Sequence, residues 1–376
     1  MVDTDKERLS PRVNTRFHFN LSDHVIIIAL IVFWVALFFT NPAFSRFSMY
    51  ATVIKQGAMF AVCGIGMTYA ISSGVFDLSV ASQIALSHVV FTSLVTRIVP
   101  ANPAMGILLT CLLILLMGLC MGLINGTLVA VLRIPAFITT LAMQLVYRGL
   151  AQLVNDSPVP FTYFDDAYLA FTTGAGEAIR WEPGGFEVLL IRGFSSTRIL
   201  QLPLFFYVMI ILAVIGSIVL RKTKFGRSTL AIGNSKEAAH ISGINIAVTQ
   251  IKIFAAVGFF TAITALMMLS HQGASNFGVP TGTEFSVISA VVLGGTALVG
   301  GKGSILNTVI AAMFIATIPT ALTTFGISNL FFDIFTGTIL VIAFSINTIK
   351  AYLDDALVKS RARKGLTADK TAAKDG

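Results

Sequence analysis

Residues 104–132 read AMGILLTCLLILLMGLCMGLINGTLVAVL, 29 positions without one charged side chain. A helix needs about 20 mostly apolar residues to cross the hydrocarbon of a bilayer. This run is long enough to span with a tilt or a break. Comparable runs lie at 24–40, 51–72, 78–98, 134–154, 200–220, 248–270, 285–299, 304–325 and 331–349, those at 78–98 and 285–299 short or interrupted by polar residues. Together they predict an all-α, polytopic membrane protein of about ten transmembrane helices.

The composition agrees. Of 376 residues, 55% are hydrophobic and only 12% charged, with a mean hydropathy of +0.84. Soluble domains carry about 25% charged residues, so a water-facing surface cannot be built from this chain. Cys63, Cys111 and Cys120 all sit in apolar runs, which implies no disulfide framework. The five histidines show no paired spacing and no cysteine pair stands at metal spacing, so no metal site is expected.

The net charge of +8 is concentrated in three places: Lys6, Arg8, Arg12 and Arg16; Arg221, Lys222, Lys224, Arg227 and Lys236; and Lys350, Lys359, Arg361, Arg363 and Lys364. Polytopic proteins mark cytoplasmic segments this way. The patches lack the interleaved aromatics that nucleic acid binding calls for, which argues against such a partner. Ten spans with an internal N-terminus place 221–247 and the C-terminal tail in the cytoplasm. They place 155–199, with six acids to three bases, outside. The first run follows a polar head and precedes no small-residue cleavage site, so it reads as a retained anchor. The expected layout is a cytoplasmic tail (1–23), a membrane domain (24–350) with an external loop (155–199) and a cytoplasmic loop (221–247), and a basic tail (351–376). The Pro, Gly and aromatic content of the external loop (Pro158, Trp181, Gly184) suggests an ordered cap, either a docking surface or a cover for helix ends.

Two stretches repeat. Asp77-Leu-Ser79-Val-Ala-Ser82 has a partner in Glu284-Phe-Ser286-Val-Ile-Ser289, each following a long apolar run. A looser echo pairs Asn125 and Pro135 with Asn307 and Pro319. Repeats over about 51–154 and 248–349 begin at the second and seventh spans. That odd offset turns one copy upside down, the inverted-topology design of many transporters.

Ionisable groups in spans are costly and mark cavities or the bundle interior. Asp77 and Glu284 each start a helix, where a carboxylate caps orphan N–H groups and meets the positive dipole end; that role is favoured over substrate contact. Gln56, Asn125, Gln144 and Arg148 are candidates for lining a hydrophilic path, each suited better to interhelical hydrogen bonding than to holding substrate. The glycine-rich Gly294–Ser304 stretch fails as a phosphate loop, because Gly300 is followed by Gly301 and Lys302 by Gly303. It reads instead as a place where elements pack closely.

In the cytoplasmic stretch, Asn234 or Ser235 can cap one short helix of about eight residues, with Glu237 in its first turn and Gly243 at its end. The small side chains of Ala238 and Ala239 suit the grip of a groove on another protein. This segment, Ala231-Ile-Gly-Asn-Ser-Lys-Glu-Ala-Ala-His-Ile-Ser-Gly-Ile-Asn245, resembles the coupling helix of the ribose-type (monosaccharide) permeases of ABC importers. So do Asp77-Leu-Ser-Val80, Gly122-Leu-Ile-Asn-Gly126, Arg133-Ile-Pro-Ala-Phe-Ile-Thr-Thr-Leu141, Arg148-Gly-Leu150 and Val291–Ser304, in family order over roughly 50–350.

The resemblance implies a type II ABC importer-like permease of an inner membrane. It would carry a monosaccharide or similar polyol and would not itself be an enzyme. Its implied partners are a second permease chain, identical or related, ABC ATPase subunits that bind the ATP and Mg, and a periplasmic or lipid-anchored sugar-binding protein. Asn234, Ser235, Glu237, Ala238, Ala239 and Gly243 would form the ATPase-coupling site. The usual Gly-Gly before the acid is replaced here by Ser-Gly-Val-Phe, and the Gly after Ser-Val by Ala81, which bears on the sugar carried. A branched-chain amino-acid permease is the nearer alternative; an ion-coupled transporter using Asp77 with Glu284 is the more distant one.

Overall fold

A computed structural model of the chain describes residues 21–98, 103–155, 159–160, 198–199, 202–272, 274–275, 278–279, 282–342 and 345. The expectations for the two tails and for most of the 155–199 loop lie outside these residues. The helices are α1 (Leu21–Thr40), α2 (Phe47–Ser72), α3 (Val80–Ile98), α4 (Pro103–Ala130), α5 (Ala136–Val154), α6 (Leu204–Lys222), α7 (Lys224–Asn234), α8 (Lys236–Ile241), α9 (Ile246–Gln272), α10 (Thr283–Leu293), α11 (Ile305–Thr324) and α12 (Phe331–Ile342). Each of the ten apolar runs is met by a helix. Among the described residues, six helices are long and apolar enough to cross a membrane, and α1, α3, α10 and α12 hold shorter apolar stretches. The protein is an all-α, multi-pass membrane protein.

Two boundaries differ from the sequence reading. The run at 285–299 is helical only to Leu293, because Gly294 and Gly295 (φ +85°) close α10. The stretch expected to hold one short helix holds two. α7 starts at Thr223, whose hydroxyl accepts the Gly226 N–H at 3.2 Å, and α8 is only six residues long. Gly226, Thr229 and Ile232 form the buried stripe of α7, with Lys224 and Arg227 on its exposed side. That amphipathic spacing makes it a surface helix.

The core is built from α2, α9 and α11, of which 72% of each spanning window is buried, against 22% for α5. The packing is exchanged between the two halves: α2 packs on α11 as α4 packs on α9, and α3 packs on α9 as α10 packs on α2. α2 and α9 also cross directly. Cys63 faces Thr261, and the Thr264 hydroxyl donates to the Met59 carbonyl at 3.4 Å, so the two helices run antiparallel. Antiparallel first helices and exchanged contacts are what two copies of opposite sense produce. The looser echo has no such counterpart. Asn125 lies near the end of α4 and Asn307 at the start of α11; Pro135 precedes α5, whereas Pro319 lies within α11.

Close approach of helices without a hydrophobic drive needs small residues. Gly118, Gly122 and Gly126 recur every fourth position on α4. A Cβ on Gly118 would strike the Gly258 carbonyl, and one on Gly126 would stand 2.8 Å from the Ile251 Cα. The α4–α9 contact is therefore backbone against backbone.

Candidate functional site

The first polar centre is fully buried. Asp77 precedes α3 and accepts the Ser79 N–H at 2.8 Å and the Ser79 hydroxyl at 2.6 Å on one oxygen. The other oxygen accepts from the Gln83 amide at 3.3 Å and the Asn125 amide at 3.0 Å. The same two amides donate to the Ser79 Oγ, at 2.8 and 2.9 Å. Asn125 Oδ1 accepts in turn from the Tyr147 hydroxyl at 3.0 Å. Asp77, Ser79, Gln83 and Asn125 have no solvent exposure and Tyr147 has 3%. Four donors converge on one carboxylate, which offsets the cost of burying it. The centre ties the α2–α3 connection to α3, α4 and α5.

The second centre lies where α10 begins. Glu284, 3% exposed, accepts the Gly282 N–H at 3.2 Å, reaching back to the start of its own helix. Its other oxygen accepts from the Gln144 amide of α5 at 3.1 Å. Arg148 Nη1 donates to the Val279 carbonyl at 2.9 Å, one turn along α5 from Gln144. Gly282 has φ +103°, a backbone only glycine adopts freely, and the Asp333 carboxylate stands nearby. Gln144, Tyr147 and Arg148 share one face of α5 (i, i+3, i+4). A single face of α5 therefore reaches both centres, and its opposite face, with Leu145 and Leu153, is exposed.

The predicted pathway residues thus fall in three places. Asp77 and Asn125 belong to the buried centre, and Gln144, Arg148 and Glu284 to the second. Gln56 stands apart, lining a cavity of about 410 Å³ with Thr52, Thr320 and Asn329, its Oε1 accepting the Thr320 hydroxyl at 3.3 Å.

The predicted coupling residues surround α8. Ser235 caps it, its hydroxyl accepting the Ala238 N–H at 3.2 Å, and lies 3.2 Å from the Glu237 carboxylate. Gly243 (φ +79°) ends it, and nothing lies within 4 Å of where its Cβ would be. Glu237, Ala238 and Gly243 face outward, whereas Ala239 is 3% exposed and turns into its own chain. Asn234 ends α7 beside Gly301.

Four residues to which the sequence reading gave no site role matter here. Ser79 and Gln83 follow Asp77 at +2 and +6, a spacing that points back at a helix start. Tyr147 carries no local signal. Ile241 is 86% exposed at the end of α8, an unusual place for a large aliphatic side chain.

The glycine-rich segment is where α7 meets both halves of the fold. Gly301 N–H donates to the Ser72 carbonyl at the end of α2, at 2.8 Å. Gly300 (φ +91°) and Gly301 (φ +82°) lie against Gly233 and Asn234 of α7. A Cβ on Gly233 would collide with the Ser72 carbonyl and the Gly301 nitrogen. Three backbones meet there with no side chain between them.

Comparison with known proteins adds the family. The ribose import permease protein RbsC of Haemophilus influenzae is 29% identical over 84% of this chain and 90% of its own. The probable ABC transporter permease protein YphD of Escherichia coli is 31% identical over 88% of this chain and 90% of its own. The galactose/methyl galactoside import permease protein MglC of Salmonella typhimurium is 27% identical over 88% of this chain and 95% of its own. No solved structure matches. The family described as "Branched-chain amino acid transport system / permease component" matches residues 49–344, well over half of the sequence. The chain belongs to this family of transport permeases.

Proposed function

We propose that the chain is the membrane-spanning subunit of an ATP-driven importer, forming the pathway for a monosaccharide or similar polyol that an external binding protein delivers. The observation that carries this reading is near full-length similarity to permeases named for ribose and galactose import. The family description names amino acids, but these relatives favour a sugar. In this reading the chain lies in an inner membrane with both termini and α7–α8 in the cytoplasm. ATP and Mg are held by ABC ATPase subunits, and the chain itself catalyses no reaction. The exposed apolar face of α5 is left for lipid or a second permease chain.

The geometry speaks against an ion-coupled transporter. Both oxygens of Asp77 and both of Glu284 are engaged by donors of this chain. These bonds account for both carboxylates as helix-start caps and interhelical ties, so neither calls for a coupling ion.

Transport follows from two-state packing. Closure of the ATPase pair would move α8, and α7 would pass that motion through Gly233 to the end of α2 and the loop before α11. Both halves of the bundle then shift together between inward- and outward-facing states. Ile241→Asp and Ala238→Trp test this. Both positions are exposed, so the chain should accumulate in the membrane at normal levels. Sugar uptake should fall at least tenfold and the ATPase should no longer co-purify. Normal uptake by both variants would contradict the coupling role of α8.

A further inference from the structure

A cavity of about 770 Å³ opens between the α4–α5 turn and the segment joining α8 to α9. Its size is that of a small-molecule site. Three cationic or protonatable side chains line it, Arg133 from the turn and Lys236 and His240 from α8, and no Asp or Glu does. Among the described residues none of the three has a carboxylate partner. Asn245 and Gln250 add polar groups, while Val129, Ile134 and Ile244 make the rest of the wall apolar. Arg133 is also the one non-glycine residue with positive φ (+56°) among the described residues. That left-handed residue closes α4, with the Ile134 N–H returning to the Leu128 carbonyl at 3.3 Å, and it fixes Arg133 at the rim of the cavity.

We infer that this cavity binds the phosphate headgroup of an anionic phospholipid. All three side chains are exposed, so this positive charge is open to an incoming anion. The half-apolar wall, at the ends of α4, α5 and α9, favours a lipid over a free ion. Basic pockets between transmembrane helices on the cytoplasmic side take such headgroups. The leaflet rests on the orientation proposed above; binding itself does not. A bound headgroup would bridge Arg133 of the turn to Lys236 and His240 of α8, holding the coupling helix against the bundle.

The test uses the full chain in nanodiscs of phosphatidylcholine with or without phosphatidylglycerol, with lipid retained through purification counted by native mass spectrometry. Arg133→Gly removes the charge while accepting the positive φ without strain, and Lys236→Gln removes the second. Each surface charge is worth about fivefold in anionic-lipid affinity. The double variant should therefore retain on the order of twentyfold less phosphatidylglycerol, while Lys222→Gln, outside the cavity, should retain it normally. An equal loss in Lys222→Gln would overturn the proposal in favour of diffuse charge. Displacement by inorganic phosphate, with no preference between the two lipids, would overturn the lipid source. Protection of Arg133 and Lys236 from chemical labelling only when the ATPase is added would assign the cavity to that protein instead. A failed importer reading would leave all these lipid counts unchanged, so the two failures are distinguishable.

Discussion

Gly233→Ala is expected to destabilise the chain by about 3 kcal/mol and to abolish coupled uptake in what remains folded. Overpacking a well-filled site costs about 1–3 kcal/mol, and more where nothing can give way. Here the obstacles are the Ser72 carbonyl and the Gly301 nitrogen, which are hydrogen-bonded to one another. A methyl group must wedge that bond apart or lift α7 away from α2. Either outcome breaks the backbone contact through which α7 touches both the end of α2 and the loop before α11. Gly149→Ala is the control, because nothing lies within 4 Å of its Cβ position on α5. In a helix interior that change should be neutral or stabilising by about 0.5–1 kcal/mol. Thermal melting in detergent, with uptake measured beside it, checks both. Equal melting of Gly233→Ala and wild type would show that α7 does not sit as described.

Asp77→Leu is expected to cost about 3–5 kcal/mol and most of the membrane accumulation, and Asp77→Asn clearly less. Removing the carboxylate leaves the Ser79 N–H and hydroxyl buried without this acceptor, at about 1–3 kcal/mol each, and strips the Gln83 and Asn125 amides of one of their two acceptors. Asparagine keeps one acceptor, and a turn of the Asn125 amide would let Tyr147 donate to the Met121 carbonyl, 3.1 Å away. Among sugars, relative uptake by the Asp77→Asn protein should stay that of wild type, because the site is closed to solvent. Normal stability with a shifted sugar preference would mean that Asp77 faces the substrate and that the buried centre opens during transport.

Much of the bundle is legible in the sequence because the bilayer imposes a simple rule: about 20 apolar residues per crossing. The failures have physical causes. α7 reads as loop because it lies in the basic 221–247 stretch, although Phe225, Thr229 and Ile232 mark a stripe at i, i+4 and i+7. The end of α10 at Leu293 was missed because Val299 and its neighbours are apolar, and hydropathy does not register the two glycines that stop the helix. Asp77 and Asn125 stood out singly as polar residues in apolar runs. Their meeting did not, since they are 48 positions apart and joined by tertiary packing. Tyr147 was invisible, because a tyrosine in an apolar helix is ordinary until its hydroxyl is seen to point at Asn125. The close packing expected of the Gly294–Ser304 stretch is present, but its partner, Gly233 of α7, carries no signal at that distance.

The measurement closest to the central claim is gentle purification of the tagged chain from its own membrane, with identification of what accompanies it. The importer account predicts an ATPase subunit with a phosphate-binding loop in about equal amount, and uptake in vesicles only when ATP is supplied inside a reconstituted complex. A chain that comes out alone and carries its substrate without ATP would contradict it and return Asp77 and Glu284 to consideration as an ion site.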